Sequence, residues 1–470
     1  MTAKHPPGQG TASLSRRRFL QYGAATSAVL TAGPALSAPA RKPKRPNFLF
    51  IVTDQQGLDT LSAYGCPGIR TPHLDRLAAR GVSFMESHST NPVCSPARSS
   101  LFTGRAASET GVIKNGLAIR QDVPNMGQWL GKRGYDPVYV GKWHVPQSYT
   151  VHIPGFTVIP AGNNGAGTLL DRSVSRGCQG FLHNRGNEGN PFLLVASFLQ
   201  PHDICQWTSM HKTAPDVLPF PQIADELPPL PPNFAFDPRE PQKVAKQRAR
   251  QKTNWSEQQW RYYIWAYYRM VEEVDAEIGR ALQALEDSGQ AENTVVIFTS
   301  DHGEGRGRHQ MIVKNYLYEE AVKVPLIVSC PGRMPEGVKD TTHLVTGNDI
   351  MRTVCDYAEV EPPEGVYGGN LRPLLEGRKT AWRGFALAEV NLSGPQPGYM
   401  LRTLDHKYIT YHGDPVEQLF DMRGDPGETR NLAGKARHAD TLAAHRKLLR
   451  EQWARLDLAP NAPRPGRPGQ

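Results

Sequence analysis

Cysteine is scarce and scattered in this chain: six residues in 470, at positions 66, 94, 178, 205, 330 and 355. No two of them form C-x-x-C, which argues against a zinc site, and six are too few and too far apart for a disulfide scaffold. There is no internal repeat, so nothing supports a repeat architecture. No segment after the N-terminal leader is a long apolar run of the kind that spans a bilayer. Acidic residues are missing altogether from positions 1–45, which hold Lys4, Arg16, Arg17, Arg18, Arg41, Lys42, Lys44 and Arg45. Eight of the nine net positive charges therefore belong to the leader. The nearly neutral remainder excludes the nucleic-acid partner that a net charge of +9 would otherwise suggest.

The leader has its own pattern. Ser15-Arg16-Arg17-Arg18-Phe19-Leu20 precedes a small-residue apolar stretch from Tyr22 to Ala38. This resembles a twin-arginine export signal over residues 1–40, with cleavage after Ser37 or Ala40. A membrane anchor would want about 20 strongly apolar residues. The expectation is export to the periplasm or medium, with no stable membrane insertion once the signal is removed.

At 470 residues the chain can bury one large core, or a large domain plus a small one. Four short apolar runs read as strands buried on both faces of a parallel sheet: Asn47 to Thr53, Tyr135 to Val140, Phe192 to Leu199 and Thr294 to Thr299. Each is followed at once by polar chemistry: Asp54-Gln55, Lys142-Trp143-His144, His202-Asp203 and Asp301-His302. In a parallel sheet such ends line one edge, where α/β folds keep their ligands. Thr71 to Ala78 reads as a packing helix, with His73 structural. The 203–255 stretch is proline-rich and reads as a long irregular loop that shapes a substrate pocket. Ser256-Glu257-Gln258-Gln259 is a capping box that opens a long helix to about Ser288, with Gly289 as its stop. The aromatic stripe along that helix reads as core packing.

The stretch Asn91 to Arg105, NPVCSPARSSLFTGR, carries a fifth set of polar groups. Pro96 suits a first helical turn, Ser95 a cap just outside it, and Gly104 the end. Cys94 would then lie at a helix N-terminus with Arg98 about one turn on, an environment that activates a thiol.

The string Cys94-Ser95-Pro96-Ala97-Arg98 through Leu101-Phe102-Thr103-Gly104 resembles, without a gap, the signature of the formylglycine-dependent sulfatases. That family belongs to the alkaline phosphatase superfamily. Gly141-Lys142-Trp143-His144, Pro201-His202 and Ser300-Asp301-His302-Gly303-Glu304 are similar to further motifs of the family. So is the segment from Lys314 to Val328, and the similarity runs from Asn47 to about Leu456. It implies an α/β fold with a large, mostly parallel sheet between helices, a catalytic domain over 46–380 and an antiparallel-sheet subdomain over 381–458. A disordered tail is expected over 459–470.

The same resemblance implies that Cys94 is oxidised to formylglycine by a formylglycine-generating enzyme and attacks the sulfur of a sulfate ester. It implies one divalent cation, Ca²⁺, held by Asp54, Asp301, His302, the modified Cys94 and Gln55. Gln55 stands where many relatives carry a second aspartate and would add no charge. Lys142 and Lys314 would bind sulfuryl oxygens, Arg98 and His144 would orient the nucleophile, and His202 would protonate the leaving oxygen. His309 is a further candidate beside Lys314. The expected substrate is a sulfated glycan or small molecule. Two other readings stay open from the sequence: a phosphonate monoester hydrolase or phosphodiesterase of the same superfamily, and an exported glycan-binding protein without catalysis.

Overall fold

An eight-stranded sheet organises the larger part of the chain, in the order Thr157–Ile159, Asp136–Gly141, Phe192–Pro201, Asn47–Asp54, Thr294–Ser300, Leu326–Ser329, Val82–Phe84, Val338–Asp340. The first five run parallel. Leu326–Ser329 is antiparallel to both of its neighbours, so the sheet is mixed but mostly parallel. The computed structural model describes residues 45–463 apart from 163–165, 187–188, 212–220, 252–253 and 392–396. The leader read as an export signal and residues 464–470 lie outside the described residues, whereas Ala459, expected in a disordered tail, is buried and donates its N–H to Ser108 O at 2.8 Å.

The central strand Asn47–Asp54 explains its own unbroken apolar run. Phe48, Phe50 and Val52 enter a core with Leu101, Phe102 and Met351, while Leu49 and Ile51 enter another with Leu74, Val174 and Ile278. Alternate side chains thus face helices on both sides of the sheet. Burying each such side chain contributes about 1.5–3 kcal/mol before entropy is counted. The long helix Glu257–Asp287 starts at the expected box, with Gln259 N–H donating to Ser256 Oγ at 3.2 Å and Ser256 N–H to Gln259 Oε1 at 3.0 Å. It ends before Gly289, which takes a left-handed φ of 68°. His73 is structural: its ring packs against Gly279, where a Cβ would come within 2.4 Å of it.

The 203–255 segment corrects the expectation of an irregular loop. It holds the helix Ile204–His211, a 3₁₀ turn Pro221–Glu226 and the helix Gln242–Arg250. Proline density hid these elements: Pro241 precedes the last of them as its N-cap, a place proline tolerates.

Further along, Ala386–Val390, Gly398–Arg402, His406–Tyr411 and Gln418–Asp421 form a second, wholly antiparallel sheet. One face carries Tyr399 and Leu401 against the helix Ala439–Trp453. The other carries Met400 and Ile409 against Tyr316, Leu317 and Tyr318. Beneath it lies a buried ionic cluster. Lys407 Nζ sits 3.0 Å from Glu319 and 2.8 Å from Glu428, and Glu86 is paired with Lys323 and Arg402. Among the described residues no helix is long and apolar enough to cross a membrane.

Candidate active site

The four strands that end in polar residues are neighbours and parallel, so Lys142, His202, Asp54 and Asp301 emerge along one edge. Two glycines make the tight exits possible. A Cβ on Gly141, whose φ is 103°, would lie 1.9 Å from Ser197 O, and one on Gly303 would lie 2.0 Å from Glu320 O. Only glycine admits such close backbone approach.

The helix Cys94–Thr103 docks on the same edge and is buried throughout. It begins two residues earlier than its residues suggest. Val93 is the N-cap, and Ser95 is not a cap. The Ser95 hydroxyl donates instead to His144 O at 2.5 Å, and Asn115 Oδ1 accepts from the Ser95 N–H at 3.0 Å. A side chain from a distant loop does the capping, so no local signal announces it. Gly104 ends the helix with φ 70°, as expected.

Arg98 reaches inward from this helix and ties the edge together. Its Nε donates to Asp301 Oδ2 at 2.8 Å, its Nη2 to Asp54 Oδ2 at 3.2 Å, and its Nη1 to Lys142 O and Ser197 Oγ at 2.8 Å each. Lys142 Nζ lies 2.5 Å from the same Asp54 Oδ2. Asp54 Oδ1 faces the other way, 3.7 Å from Cys94 Sγ and 3.9 Å from His302 Nε2. His302 Nε2 is 3.2 Å from Cys94 Sγ and 3.6 Å from Asp301 Oδ1. Asp54, Cys94, Asp301 and His302 each present one ligand atom, all within 4.8 Å of one another and all buried.

Gln55 enters the site by two routes. Its backbone, at φ 74°, donates to Asp301 Oδ1 at 3.0 Å. Its side-chain oxygen accepts from Lys314 Nζ, and its amide donates to Glu304 Oε2. Glu304 in turn accepts from the Tyr263 hydroxyl, and the Tyr267 hydroxyl donates to Gln55 O at 2.6 Å. The aromatic stripe of the long helix is therefore more than core packing. Two of its hydroxyls brace the residues behind the site. The E of S-D-H-G-E was the available sign for Glu304. Nothing in the sequence marks the two tyrosines apart from their neighbours.

His144 holds a left-handed φ of 63°, and its Nδ1 is buried without a partner. His309 does not join this group; it gathers with Glu320 and Glu428, its ring 4.5 Å from that of Tyr318. All six cysteines are free thiols.

The charges are tightly interdependent. Burial pushes Asp54 up, but Lys142, His202, Arg98 and Lys314 outweigh it and hold the carboxyl well below the usual range. Burial and the nearby Asp54 charge raise Asp301. Burial and Asp54 oppose ionisation of Cys94; Lys314, Lys142 and His302 prevail and depress the thiol. Burial, then Lys314 and Lys142, lower His202 to about 4, which leaves it neutral at neutral pH. The arrangement brings a thiol, two carboxylates, two ammonium groups and two imidazoles together, groups of the kinds that hydrolysis of an anionic ester uses.

A parallel sheet that delivers this set to one edge defines an ester hydrolase of the alkaline phosphatase fold. A family model described as Sulfatase matches residues 46–360, and one described as N-sulphoglucosamine sulphohydrolase, C-terminal, matches residues 307–455. The chain belongs to the sulfatase family, and it is a sulfuric ester hydrolase. Among its relatives, a Delta 4,5-hexuronate-2-O-sulfatase of Bacteroides thetaiotaomicron is 30% identical over 88% of this chain and 89% of its own length. The structure of a 2-O GAG sulfatase aligns with TM-score 0.80 at 28% identity, covering 91% of this chain and 98% of that one. Phosphonate monoester hydrolase of Agrobacterium radiobacter aligns with TM-score 0.72 at 25% identity, covering 90% and 100%.

Proposed function

We propose that this enzyme is exported and removes a sulfate ester from a hexuronate- or hexosamine-containing glycan, using a formylglycine made from Cys94 and one divalent cation. The observation that carries the reading is the convergence of Cys94 Sγ with one ligand atom each from Asp54, Asp301 and His302, all within 4.8 Å. The hexuronate sulfatase among the relatives supports the glycan, and the arginine-rich leader supports export.

The donor set fits a hard cation. Two carboxylates supply charge, and Asp54 Oδ1 is turned away from the Lys142 and Arg98 that occupy Oδ2. Calcium takes such oxygens; the imidazole of His302 is the softer member of the set. Asp54, Asp301, His302 and the modified residue 94 would hold the ion, whereas Gln55 Oε1, expected as a further oxygen donor, is taken by Lys314 Nζ. Bound there, the cation supplies a Lewis acid, and the aldehyde hydrate of residue 94 supplies a hydroxyl nucleophile.

The chain's own residues do the rest. Lys142 and Lys314 flank the nucleophile and bind the sulfuryl oxygens, placing positive charge where negative charge develops. Arg98 fixes the two aspartates relative to each other. His144 brings a buried, unpartnered Nδ1 beside the nucleophile helix, suited to a hydrogen bond with the hydrated side chain. His202 donates a proton to the leaving alcohol. Burial lowers its pKa in the free enzyme and Lys314 and Lys142 lower it further; an anionic ester bound between the lysines offsets their share and raises it part of the way back.

The phosphonate hydrolase neighbour makes one rival worth testing. Matured enzyme assayed on sulfated hexuronate and hexosamine saccharides beside an aryl phosphonate monoester should favour sulfate release by at least about 100-fold. Preferential phosphonate hydrolysis would overturn the reading.

A further inference from the structure

A cleft of about 640 Å³ opens between the start of the long helix and the helix Gln242–Arg250. Phe234, Phe236, Trp260, Glu240, Gln251 and Gln310 are among the residues that line it. Its size is that of a small-ligand site, and aromatic side chains share its lining with charged and amide ones. Phe234 and Trp260 meet edge to face at 5.4 Å, and Phe236 is 36% exposed. Glu240 and Arg248 neutralise each other. Gln251 does not use its full capacity: its Oε1 accepts from Ile312 N–H at 3.2 Å, while its Nε2 is buried with no partner.

Gln310, one residue of this lining, belongs to the loop that ends in Lys314. Arg306, His309, Gln310, Val313 and Asn315 there all hold left-handed φ, between 49° and 88°. Such conformations are costly for non-glycine residues and persist only where surroundings enforce them. The helix Gln242–Arg250 and the residue after it do the enforcing. Arg248 Nε donates to His309 O at 2.9 Å and Gln247 Nε2 to Lys314 O at 3.1 Å, beside the Gln251 contact. Gln310 at the cleft wall and Lys314 beside Gln55 thus lie on one braced loop.

We propose that this cleft binds a pyranose ring of the glycan chain, remote from the ring that loses its sulfate. The proposal rests on the glycan-sulfatase reading. Aromatic edges and faces suit the apolar C–H face of a pyranose, and an unpartnered amide donor suits a ring hydroxyl. Anchored here, the chain is held on the loop that carries a sulfate-binding lysine.

The test uses unsulfated hexuronate–hexosamine hexasaccharides, heparosan and chondroitin, titrated calorimetrically into the full chain. Phe236→Ala removes an apolar wall. Gln251→Glu keeps the acceptor for Ile312 N–H and removes the donor. Binding to the wild type, weakened at least tenfold in both variants while Phe236→Ala keeps its aryl sulfate hydrolysis, is the expected result. No binding of either hexasaccharide at millimolar concentration, or equal affinity in wild type and both variants, would overturn it. Turnover of sulfated saccharides succeeds or fails independently, because these probes carry no sulfate.

Discussion

Two buried clusters of similar composition lie at different places in this molecule. One is at the sheet edge, with Asp54, Asp301, Cys94 and His302 among Arg98, Lys142 and Lys314. The other lies under the small sheet, with Glu86, Glu319, Glu428 and His88 among Lys323, Arg402 and Lys407. In both, carboxylates and a histidine approach closely enough to hold a metal: one ligand atom each from Glu86, His88 and Glu319 lie within 4.8 Å of one another, as at the sheet edge. What separates them is where the resident cations sit. Lys407, fully buried, lies between Glu319 and Glu428 and pairs with both. At the sheet edge Lys142 and Arg98 take Oδ2 of Asp54 and leave Oδ1 facing a thiol. Proximity of ligand atoms alone does not distinguish a structural ion network from a reactive site. The orientation of the carboxylates does.

That contrast can be broken in several ways. The largest effect is expected at the sheet edge: Cys94→Ala or Asp54→Asn should lower sulfate release on the order of 10⁴-fold, with the fold retained by circular dichroism. Lys407→Met should do the reverse. It strands two buried glutamates and should lower stability by about 3–5 kcal/mol in urea unfolding, with kcat of the folded fraction unchanged. His202→Ala sharpens the picture of the site itself. The loss should be about 10²-fold on a sugar sulfate, whose alkoxide leaves poorly, and much smaller on an activated aryl sulfate.

The smallest effect concerns pH. Glu389, buried on the first strand of the small sheet, is raised by that burial to about 7, although Ser108 N–H and Asn391 hydrogen-bond to it. Its folded-state pKa lies above the unfolded value, so between those values the folded state binds the extra proton. Its contribution is present at low pH and is lost as pH rises through the window. Stability should fall by on the order of 2 kcal/mol between about pH 5 and 7, and Glu389→Gln should flatten that slope.

The sheet and most of the site were legible because they are encoded locally. A strand buried on both faces must be apolar throughout, as Phe48 to Val52 is, and polar residues directly after it can only lie at its C-terminal end. Four such strands predicted one edge, and the structure makes them adjacent. What was not legible depends on contacts between distant segments. Asn115 caps the helix Cys94–Thr103 from twenty residues away, and Tyr263 and Tyr267 turn hydroxyls onto Glu304 and Gln55 from within an apolar stripe. The helices inside 203–255 were masked by prolines at their borders. The ionic cluster beneath the small sheet joins residues more than 300 positions apart, such as Glu86 and Arg402, and no local pattern announces it.

The most direct test of the central claim is the mass of the peptide containing Cys94, taken from protein produced with the maturation enzyme and set against sulfate release by the same preparation. The account predicts a peptide that has lost H₂S and gained one oxygen, with activity proportional to the converted fraction. Full activity from protein whose residue 94 is still an intact thiol would contradict it.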